Sequence, residues 1–510
     1  RNPDLIESPI VMWNELLFAF QSVATLPNFL AMFAGIWGGV IIGAIPGMTG
    51  TMAVTLALPF TFYLPPVTSL LLLVALYKGS TYGGSISAIL IKTPGTASAA
   101  CTVLDGYPLA RAGKGGKALN MALISSCIGD FISNISLFFL AMPLAMFALR
   151  VGPPEFFMLM AFSLTIVASI SGRSLVLGII AACLGLLLAT VGEDIYGSYR
   201  FALSEDMKSG LGMVPVLIGL FALPELIKMI VFRPEDNSQA MKLGDNRLTL
   251  SEFRGSIKSI CRGSVIGVIL GAIPGIGPST AAFFSYSEAR RTSKNGDKFG
   301  EGELEGIAAS ESANNGACGA TMIPLLALGV PGDVITGVML GAFMIHGLTP
   351  GPLLFQNNLG EVYSLFIGML FSSLFLFIAG KLTAGAFTKI SRIPQTLLLP
   401  CILILCVYGI YSIGASPFDV TVLLVMGVVG FAMMLLNIPA APFLIAFILG
   451  PMFEDNMRRS LAISRGDLGV FFQSWISWGF FILTILFVTL TIRREWKKWR
   501  DRRASAQSAS

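Results

Sequence analysis

Gly43-Ala44-Ile45-Pro46-Gly47 is a pentapeptide that the chain uses twice, because the same residues return 228 positions later as Gly271-Ala272-Ile273-Pro274-Gly275. Each copy ends an apolar stretch. Proline removes a backbone donor and glycine tolerates strained dihedral angles, so each copy is predicted to break a helix. Broken backbone at membrane depth is tolerated only where protein buries it or where it lines a polar cavity. Two such breaks, one in each half, are typical of a transporter binding site.

The composition is typical of a protein embedded in a lipid bilayer. Its 510 residues are 54% hydrophobic and 12% charged, against roughly 25% charged residues in a soluble domain. Apolar runs of about 20 residues, long enough to cross a bilayer, recur along the sequence. The fold class is therefore predicted to be an all-α polytopic membrane protein. The net charge of +5 is small for this length, and no nucleic-acid partner is expected.

The residues needed for catalysis are missing from the sequence pattern. His346 is the one histidine, so neither a zinc motif with two histidines nor a serine–histidine pair with a spare base emerges, and it is expected to be structural. The glycine-rich run Gly113–Ala118 lacks the spacing and the hydroxyl of a phosphate-binding loop. We expect no enzyme, no ATP-driven transport and no organic cofactor.

A second pair of breaks supports an internal repeat. Lys92-Thr93-Pro94-Gly95-Thr96 and Gly329-Val330-Pro331-Gly332-Asp333 each end an apolar span, and Gly79 to Pro94 has the same 15-residue separation as Gly316 to Pro331. Matched order and spacing predict two repeats. The predicted division is an N-terminal membrane repeat at 1–232, a cytoplasmic linker at 233–262, a C-terminal membrane repeat at 263–492 and a basic cytoplasmic tail at 493–510.

The loop charges predict that the two repeats are inverted. In the first half, Tyr63–Pro66 after the first break has no basic residue, whereas the loop after the second break has three. In the second half, the loop after the first break carries four basic residues, and Gly347–Asn358 after the second break has none. Basic loops stay in the cytoplasm. The loop charges predict helices or re-entrant hairpins broken at Pro-Gly motifs, with Arg262–Tyr286 as one such hairpin. For alternating access we expect these hairpin regions to move as in an elevator-like transporter, although the loop charges do not show this.

The breaks supply the candidate substrate site. A helix interrupted at depth exposes N–H groups that favour anions at one end and C=O groups that favour cations at the other. The alternative is that these small residues only let helices pack closely. The predicted substrate-binding residues are Gly47, Thr49, Gly50, Thr51, Lys92, Pro94, Gly95, Thr96, Gly275, Gly277, Ser279, Pro331 and Gly332.

A polar run inside an apolar span supplies the candidate cation site. It holds Ser310, Glu311, Asn314 and Asn315, and Asp333 at a break is a further acidic candidate. Oxygen ligands of this kind suit Na⁺, or a proton on the carboxyl group. The alternative is a helix that begins near the interface with a solvated acidic first turn.

Two further polar pairs lie in apolar spans. Lys78 and Lys92 are each expected either to pair with a substrate carboxylate or to extend to water. Asp130 and Asn134 are four residues apart and are expected to make hydrogen bonds between helices.

The sequence resembles a known family, the large membrane subunit of bacterial tripartite tricarboxylate transporters. The resemblance covers most of the chain, in family order. The matching stretches are Gly43–Gly50, Tyr82–Leu90, Pro94–Thr96, Leu104–Pro108, Gly271–Gly277, Phe299–Gly302, Ala313–Asn315, Leu328–Gly332 and Leu348–Pro352.

The resemblance implies a secondary active importer of a di- or tricarboxylate such as citrate, in the inner membrane of a bacterium. It implies coupling to a Na⁺ or H⁺ gradient, a small membrane subunit of about four helices, and a periplasmic solute-binding protein that delivers substrate. The alternative function is a passive carboxylate channel that uses the same breaks.

Overall fold

The computed structural model describes residues 9–170, 174–194, 196–232, 244, 247–390 and 395–507. Helices account for nearly all of its regular structure, and the prediction of an all-α protein is confirmed. The helices are α1 Pro9–Val23, α2 Leu26–Ala44, α3 Gly50–Thr61, α4 Pro66–Ile91, α5 Ala99–Leu109, α6 Gly115–Ala148, α7 Pro153–Ile170, α8 Leu175–Ala189, α9 Met213–Val231, α10 Leu250–Gly271, α11 Gly277–Thr292, α12 Leu304–Ala320, α13 Met322–Leu328, α14 Val334–Ile345, α15 Leu354–Asn357, α16 Leu359–Ile390, α17 Gln395–Gly414, α18 Pro417–Leu435, α19 Ala440–Ile463 and α20 Trp475–Gln507.

Several helices are suited to a bilayer. Among the described residues, six helical stretches are long and apolar enough to cross a membrane. This confirms a multi-pass membrane protein. The six stretches are Leu26–Ala44, Ala99–Ala148, Met213–Val231, Leu359–Thr383, Pro417–Leu435 and Trp475–Arg493.

The chain forms two compact units that do not follow chain order. The first combines Arg1–Ala148 with Phe221–Ser416, and the second combines Leu149–Leu220 with Pro417–Ser510. Each unit therefore draws on both predicted repeats. Residues 233–243 and 245–246 of the predicted linker lie outside the described residues. Helix α10 begins at Leu250, inside the predicted linker, because Thr249 and Glu252 form a capping box there.

In the first unit, a stripe of glycines joins α2 to α4. Gly35, Gly39 and Gly43 are four residues apart and so lie on one face of α2. A methyl group at each of them would overlap backbone atoms of α4. The absence of side chains on this face lets the two helices approach to backbone contact.

The same arrangement recurs between α10 and α12. Gly263, Gly267 and Gly271 stand 228 residues after the three glycines of α2. A methyl group at Gly267 or Gly271 would overlap backbone atoms of α12, and one at Gly263 would overlap its Ser312 hydroxyl. The glycine stripe is thus part of the repeated sequence, beyond the pentapeptide that ends it.

The predicted breaks interrupt the helices where proline and glycine stand. Helix α2 ends at Ala44 and α10 ends at Gly271. After each of these ends the backbone turns through a glycine with positive φ, 85° at Gly47 and 82° at Gly275. The second breaks begin at left-handed residues that end α4 and α13, Lys92 with φ 60° and Gly329 with φ 72°. A new helix follows each break.

The second unit contains α7, α8, a short hairpin and α18–α20. Strand β1 Gly192–Glu193 pairs antiparallel with β2 Tyr199–Arg200. The guanidinium group of Arg200 donates two hydrogen bonds to the carboxylate of Glu454, at 2.8 and 3.0 Å. This bidentate pair holds the hairpin against α19. Helix α20 runs on to Gln507, so the predicted basic tail is helical as far as that residue.

Candidate functional site

Three of the four breaks lie against one face of α4. The hydroxyl of Tyr77 donates to Asp333 Oδ2 at 2.7 Å, Ser80 lies against Gly50, and the carbonyl of Gly84 accepts from the Gly95 amide at 3.3 Å. Positions 77, 80 and 84 share a helical face because they are three and four residues apart. This face collects breaks from both halves of the sequence.

Within each half the two breaks also meet. In the first half, a methyl group at Gly95 would overlap the carbonyl oxygen of Gly43, so the two backbones touch. In the second half, the amide of Gly275 donates to the carbonyl of Gly332 at 2.8 Å. The fourth break, at Ala272–Ile276, is therefore tied to the other three through Gly332 and its neighbour Asp333.

Each break is followed by a helix N-terminus, and the four ends differ in how they are capped. The Thr49 hydroxyl accepts from the Met52 amide at the start of α3, and the Thr96 hydroxyl accepts from the Ala99 amide at the start of α5. The Asp333 carboxylate caps α14 by accepting from the Thr336 amide at 2.8 Å. Helix α11, which begins at Gly277, has no side-chain cap. Pro278 in its first turn has no N–H group, and the side chain of Asp333 lies beside Gly277.

The predicted substrate residues divide by exposure. Gly50, Gly95, Gly277, Pro331 and Gly332 are buried. Gly95 lies against the backbone of Gly43, and Gly332 lies against Thr321. The remaining positions are at least partly accessible: Gly47 and Lys92 are exposed, and Thr49, Thr51, Pro94, Thr96, Gly275 and Ser279 are intermediate. The exposed ammonium group of Lys92 lies 5.6 Å from the ring centre of Tyr107.

Both expectations for Lys78 were wrong. Its side chain is fully buried, and its ammonium group donates to Asp130 Oδ2 at 3.1 Å, to the carbonyl of Met369 at 2.7 Å and to Ser372 Oγ at 2.8 Å. The ammonium group does not reach water, and it is not free to pair with a substrate carboxylate because it already pairs with the carboxylate of Asp130. The hydrogen bonds between helices expected of Asp130 and Asn134 are confirmed, since both contact residues of α16.

Glu311 occupies the centre of the second polar cluster. Its side chain is fully buried on α12. Oε1 accepts hydrogen bonds from Ser85 at 2.6 Å and from Thr102, and Oε2 accepts one from Ser126 at 2.9 Å. The donors come from α4, α5 and α6. The described part of the chain shows no ion pair between Glu311 and a basic side chain. A carboxylate buried in this way needs a cation or a proton to offset its charge.

The neighbours of Glu311 on the same helix carry further oxygens. Ser310 Oγ lies 3.3 Å from Thr102 Oγ1. The amide atoms of Asn314 and Asn315 are buried, and none has a hydrogen-bond partner among the described residues. Asn315 shares a helical face with Glu311, four residues away. Carboxylate, amide and hydroxyl oxygens are the ligands that a hard cation prefers, so these residues fit Na⁺ better than a metal that needs histidine or cysteine. No cluster of three or more His, Cys, Asp or Glu suited to a metal occurs in the described ranges.

Asp333 does not join this cluster. It contacts Tyr77, whereas Glu311 contacts Ser85, and those two positions are separated by about 12 Å along α4 at 1.5 Å per residue. The predicted cation residues therefore fall into two places. Ser310, Glu311, Asn314 and Asn315 stand together on α12, and Asp333 caps α14. His346 contacts the Thr61 hydroxyl at 3.2 Å, in keeping with a structural role.

Sequence reasoning missed the three hydroxyl donors to Glu311. Ser85, Thr102 and Ser126 lie on three helices at least 17 residues apart in the chain. Each is a small polar residue inside an apolar span, and many such residues bond only to their own helix. Nothing local distinguishes these three.

The comparisons with known proteins agree with this architecture. Residues 29–445 match the model of the tripartite tricarboxylate transporter TctA family. An uncharacterized 52.8 kDa protein in the TAR-I ttuC' 3' region of Agrobacterium vitis is 35% identical over 491 residues, which cover 96% of this chain and 98% of that protein. An uncharacterized protein in the TAR-II ttuC' 3' region of the same organism is 37% identical over 235 residues, 46% of this chain and 97% of its own length. No solved structure matches. The chain belongs to the tripartite tricarboxylate transporter TctA family.

Proposed function

We propose that the protein is the large membrane subunit of a secondary active importer. The importer would move a di- or tricarboxylate such as citrate into the cell, driven by a Na⁺ or H⁺ gradient. A small membrane subunit of about four helices and a periplasmic solute-binding protein complete the transporter in the bacterial inner membrane. Family membership supports this assembly.

One observation carries the proposal. Four interrupted backbones converge near the Tyr77–Gly84 face of α4, inside a chain with membrane-spanning helices. Irregular backbone is stable at membrane depth only where other protein groups or a polar cavity satisfy it. Paired interruptions of this kind are the usual setting of a transporter binding site.

The carboxylate would bind at the helix N-termini, and α11 is the first candidate. Its N-terminus at Gly277 lacks a side-chain cap, and Ser279 adds a partly accessible hydroxyl. The N-terminus of α14 is less suited, because the Asp333 carboxylate already accepts from its Thr336 amide.

The coupling cation would bind at Glu311. The carboxylate and the unpartnered amides of Asn314 and Asn315 would supply oxygen ligands, with the hydroxyl groups of Ser85, Thr102 and Ser126 around them. A cation there would neutralise the buried charge. The same carboxylate would take up a proton if the gradient were one of H⁺.

Alternating access would arise from movement of the two break-bearing hairpins, as in an elevator. The matched glycine stripes on α2 and α10 and the matched left-handed ends of α4 and α13 support two repeats. Opposite orientation of the repeats remains a prediction from the loop charges.

Uptake into liposomes tests the proposal. The full-length chain is reconstituted with its small subunit, and the solute-binding protein is added with labelled di- and tricarboxylates. Accumulation above the external concentration is expected under an imposed Na⁺ or proton gradient, and not without one. Equilibration without accumulation would identify a passive channel. Accumulation that is indifferent to both gradients would refute the coupling.

A further inference from the structure

The ammonium group of Lys78 is surrounded by oxygen atoms of α6 and α16. Its three donors reach a carboxylate, a backbone carbonyl and a hydroxyl, namely Asp130 Oδ2, Met369 O and Ser372 Oγ. Asn134 donates to the same Asp130 and Met369 oxygens, at 3.2 and 2.9 Å. This is the ligand chemistry of a Na⁺ site, with a nitrogen cation at its centre.

The Asp130 carboxylate can accept more than the lysine donates. Its Oδ1 atom is buried and has no hydrogen-bond partner among the described residues. Polar atoms rarely remain unpaired in a protein interior. The ammonium group of Lys78 has only three donors, which Asp130 Oδ2, Met369 O and Ser372 Oγ already take, so Oδ1 is left unused.

We propose that Lys78 is a tethered cation, whose ammonium group permanently occupies an oxygen-lined site that binds free Na⁺ when the lysine side chain is removed. The lysine and the free ion carry the same charge, so either neutralises Asp130. This site is separate from Glu311, whose hydroxyl donors belong to other residues. Binding of Na⁺ in place of the lysine requires neither carboxylate transport nor a particular coupling ion.

Removal of the lysine should create a dependence on Na⁺. In Lys78→Ala, Asp130 keeps its buried carboxylate but loses its cation, which is strongly destabilising when nothing replaces it. The shortened side chain also leaves room for an ion among the oxygens. Lys78→Ala combined with Asp130→Asn removes both charges, and it serves as the matched control.

The test measures thermal unfolding of the purified full-length chain, without partner proteins or carboxylate. Wild type, Lys78→Ala and the double variant are each compared in NaCl and in choline chloride at equal ionic strength. Wild type sets the Na⁺ response of the rest of the molecule. Lys78→Ala should gain about 3 °C or more in NaCl beyond that response, and the double variant should lose this excess.

The outcomes divide cleanly. An excess Na⁺ response in Lys78→Ala that disappears in the double variant supports the tethered cation, as does a Lys78→Ala protein that can be purified only in NaCl. An equal response in wild type and Lys78→Ala would overturn it. So would an excess that persists without the Asp130 carboxylate, or a Lys78→Ala protein that fails to fold in NaCl while the double variant folds. Uptake assays can fail or succeed without changing these results.

Discussion

The hydroxyl of Tyr77 donates a 2.7 Å hydrogen bond to Asp333 Oδ2, across 256 positions of the chain. Tyr77 lies in the middle of α4, and Asp333 is the residue that caps α14. Because Asp333 also accepts from the Thr336 amide, one carboxylate fixes both the start of a helix and its position against the other half of the sequence. The relationship between the two halves at this break depends on that carboxylate.

Removal of the Tyr77 hydroxyl should loosen this contact. Tyr77→Phe is expected to lower the free energy of unfolding by about 1.5–3 kcal/mol, the range for hydrogen bonds to charged groups. Thermal unfolding of the purified protein measures the loss. Tyr411→Phe removes the same atom from a side chain that is 49% exposed, and it should change stability by at most about 0.5 kcal/mol. Equal behaviour of the two variants would contradict a role for the Tyr77 hydroxyl.

Backbone contact between the first two breaks should not tolerate a methyl group. In Gly95→Ala the new methyl would overlap the carbonyl oxygen of Gly43, and no rotation of a side chain can relieve it. Overpacking of this kind costs about 1–3 kcal/mol or more. Gly255→Ala is the control, because its methyl meets nothing within 4 Å, and a helix interior favours alanine by roughly 0.5–1 kcal/mol. Melting temperatures should move in opposite directions, and a neutral Gly95→Ala would refute the contact.

The hydroxyl of Ser126 should tune the response to the coupling ion. Ser126→Ala removes one of the three donors to Glu311. This hydrogen bond stabilises the ion-free carboxylate more than the neutralised one, and an interaction with a charged group worth about 1.5 kcal/mol corresponds to about tenfold in affinity. The concentration of coupling cation that gives half-maximal uptake should therefore fall by up to about tenfold in Ser126→Ala. Ser163→Ala, which removes a buried hydroxyl bonded only to its own helix at Leu159, should leave it unchanged. An unchanged value in Ser126→Ala would remove this serine from the proposed ion site.

Acid should weaken the start of α10 in a defined range. The Lys117 ammonium group, 2.7 Å away, and the Thr249 amide lower the pKa of Glu252 to about 2, from 4.5. A carboxyl group whose pKa falls on folding adds stability above its unfolded value. This stability is complete above about pH 4.5 and is lost as the pH falls toward about 2. Across that interval, the melting temperature of Glu252→Gln should change less with pH than the melting temperature of wild type.

The control for Glu252 is Glu205→Gln, since the Glu205 side chain is 85% exposed. It should keep the slope of wild type between pH 5 and pH 2. If Glu252→Gln also keeps that slope, the capping interaction does not contribute to acid stability.

Cysteine labelling in intact cells tests the inverted orientation. Single cysteines replace Tyr63 and Lys294, which are both exposed, in a chain whose seven native cysteines are changed to serine. Lys294 lies in a basic loop and Tyr63 in one without basic residues, so an impermeant reagent added outside should label position 63 alone. Labelling of both positions from the same side would refute the inversion.

Much of the fold was predictable because its causes are local. Pro46, Pro274 and the glycines beside them break helices through their own dihedral constraints, and the structure interrupts α2 and α10 there. The expectation of contacts between helices for Asp130 and Asn134 succeeded for a similar reason, because polar groups in apolar helices must find partners. The predictions for Lys78 were wrong because a lysine in an apolar span has several possible partners, and its sequence neighbours do not select one of them.

Composition and proline–glycine geometry act over a few residues, so they were enough to predict an all-α membrane protein and the places where its helices break. Family membership followed from short matching stretches in order along the chain. The contacts of Tyr77 with Asp333, of Lys78 with Asp130 and of three hydroxyl groups with Glu311 appear only in the folded chain. Those partners are separated by at least 52 positions, and no local preference spans that distance. They are set by which glycine faces let helices come close enough to bury their polar groups together.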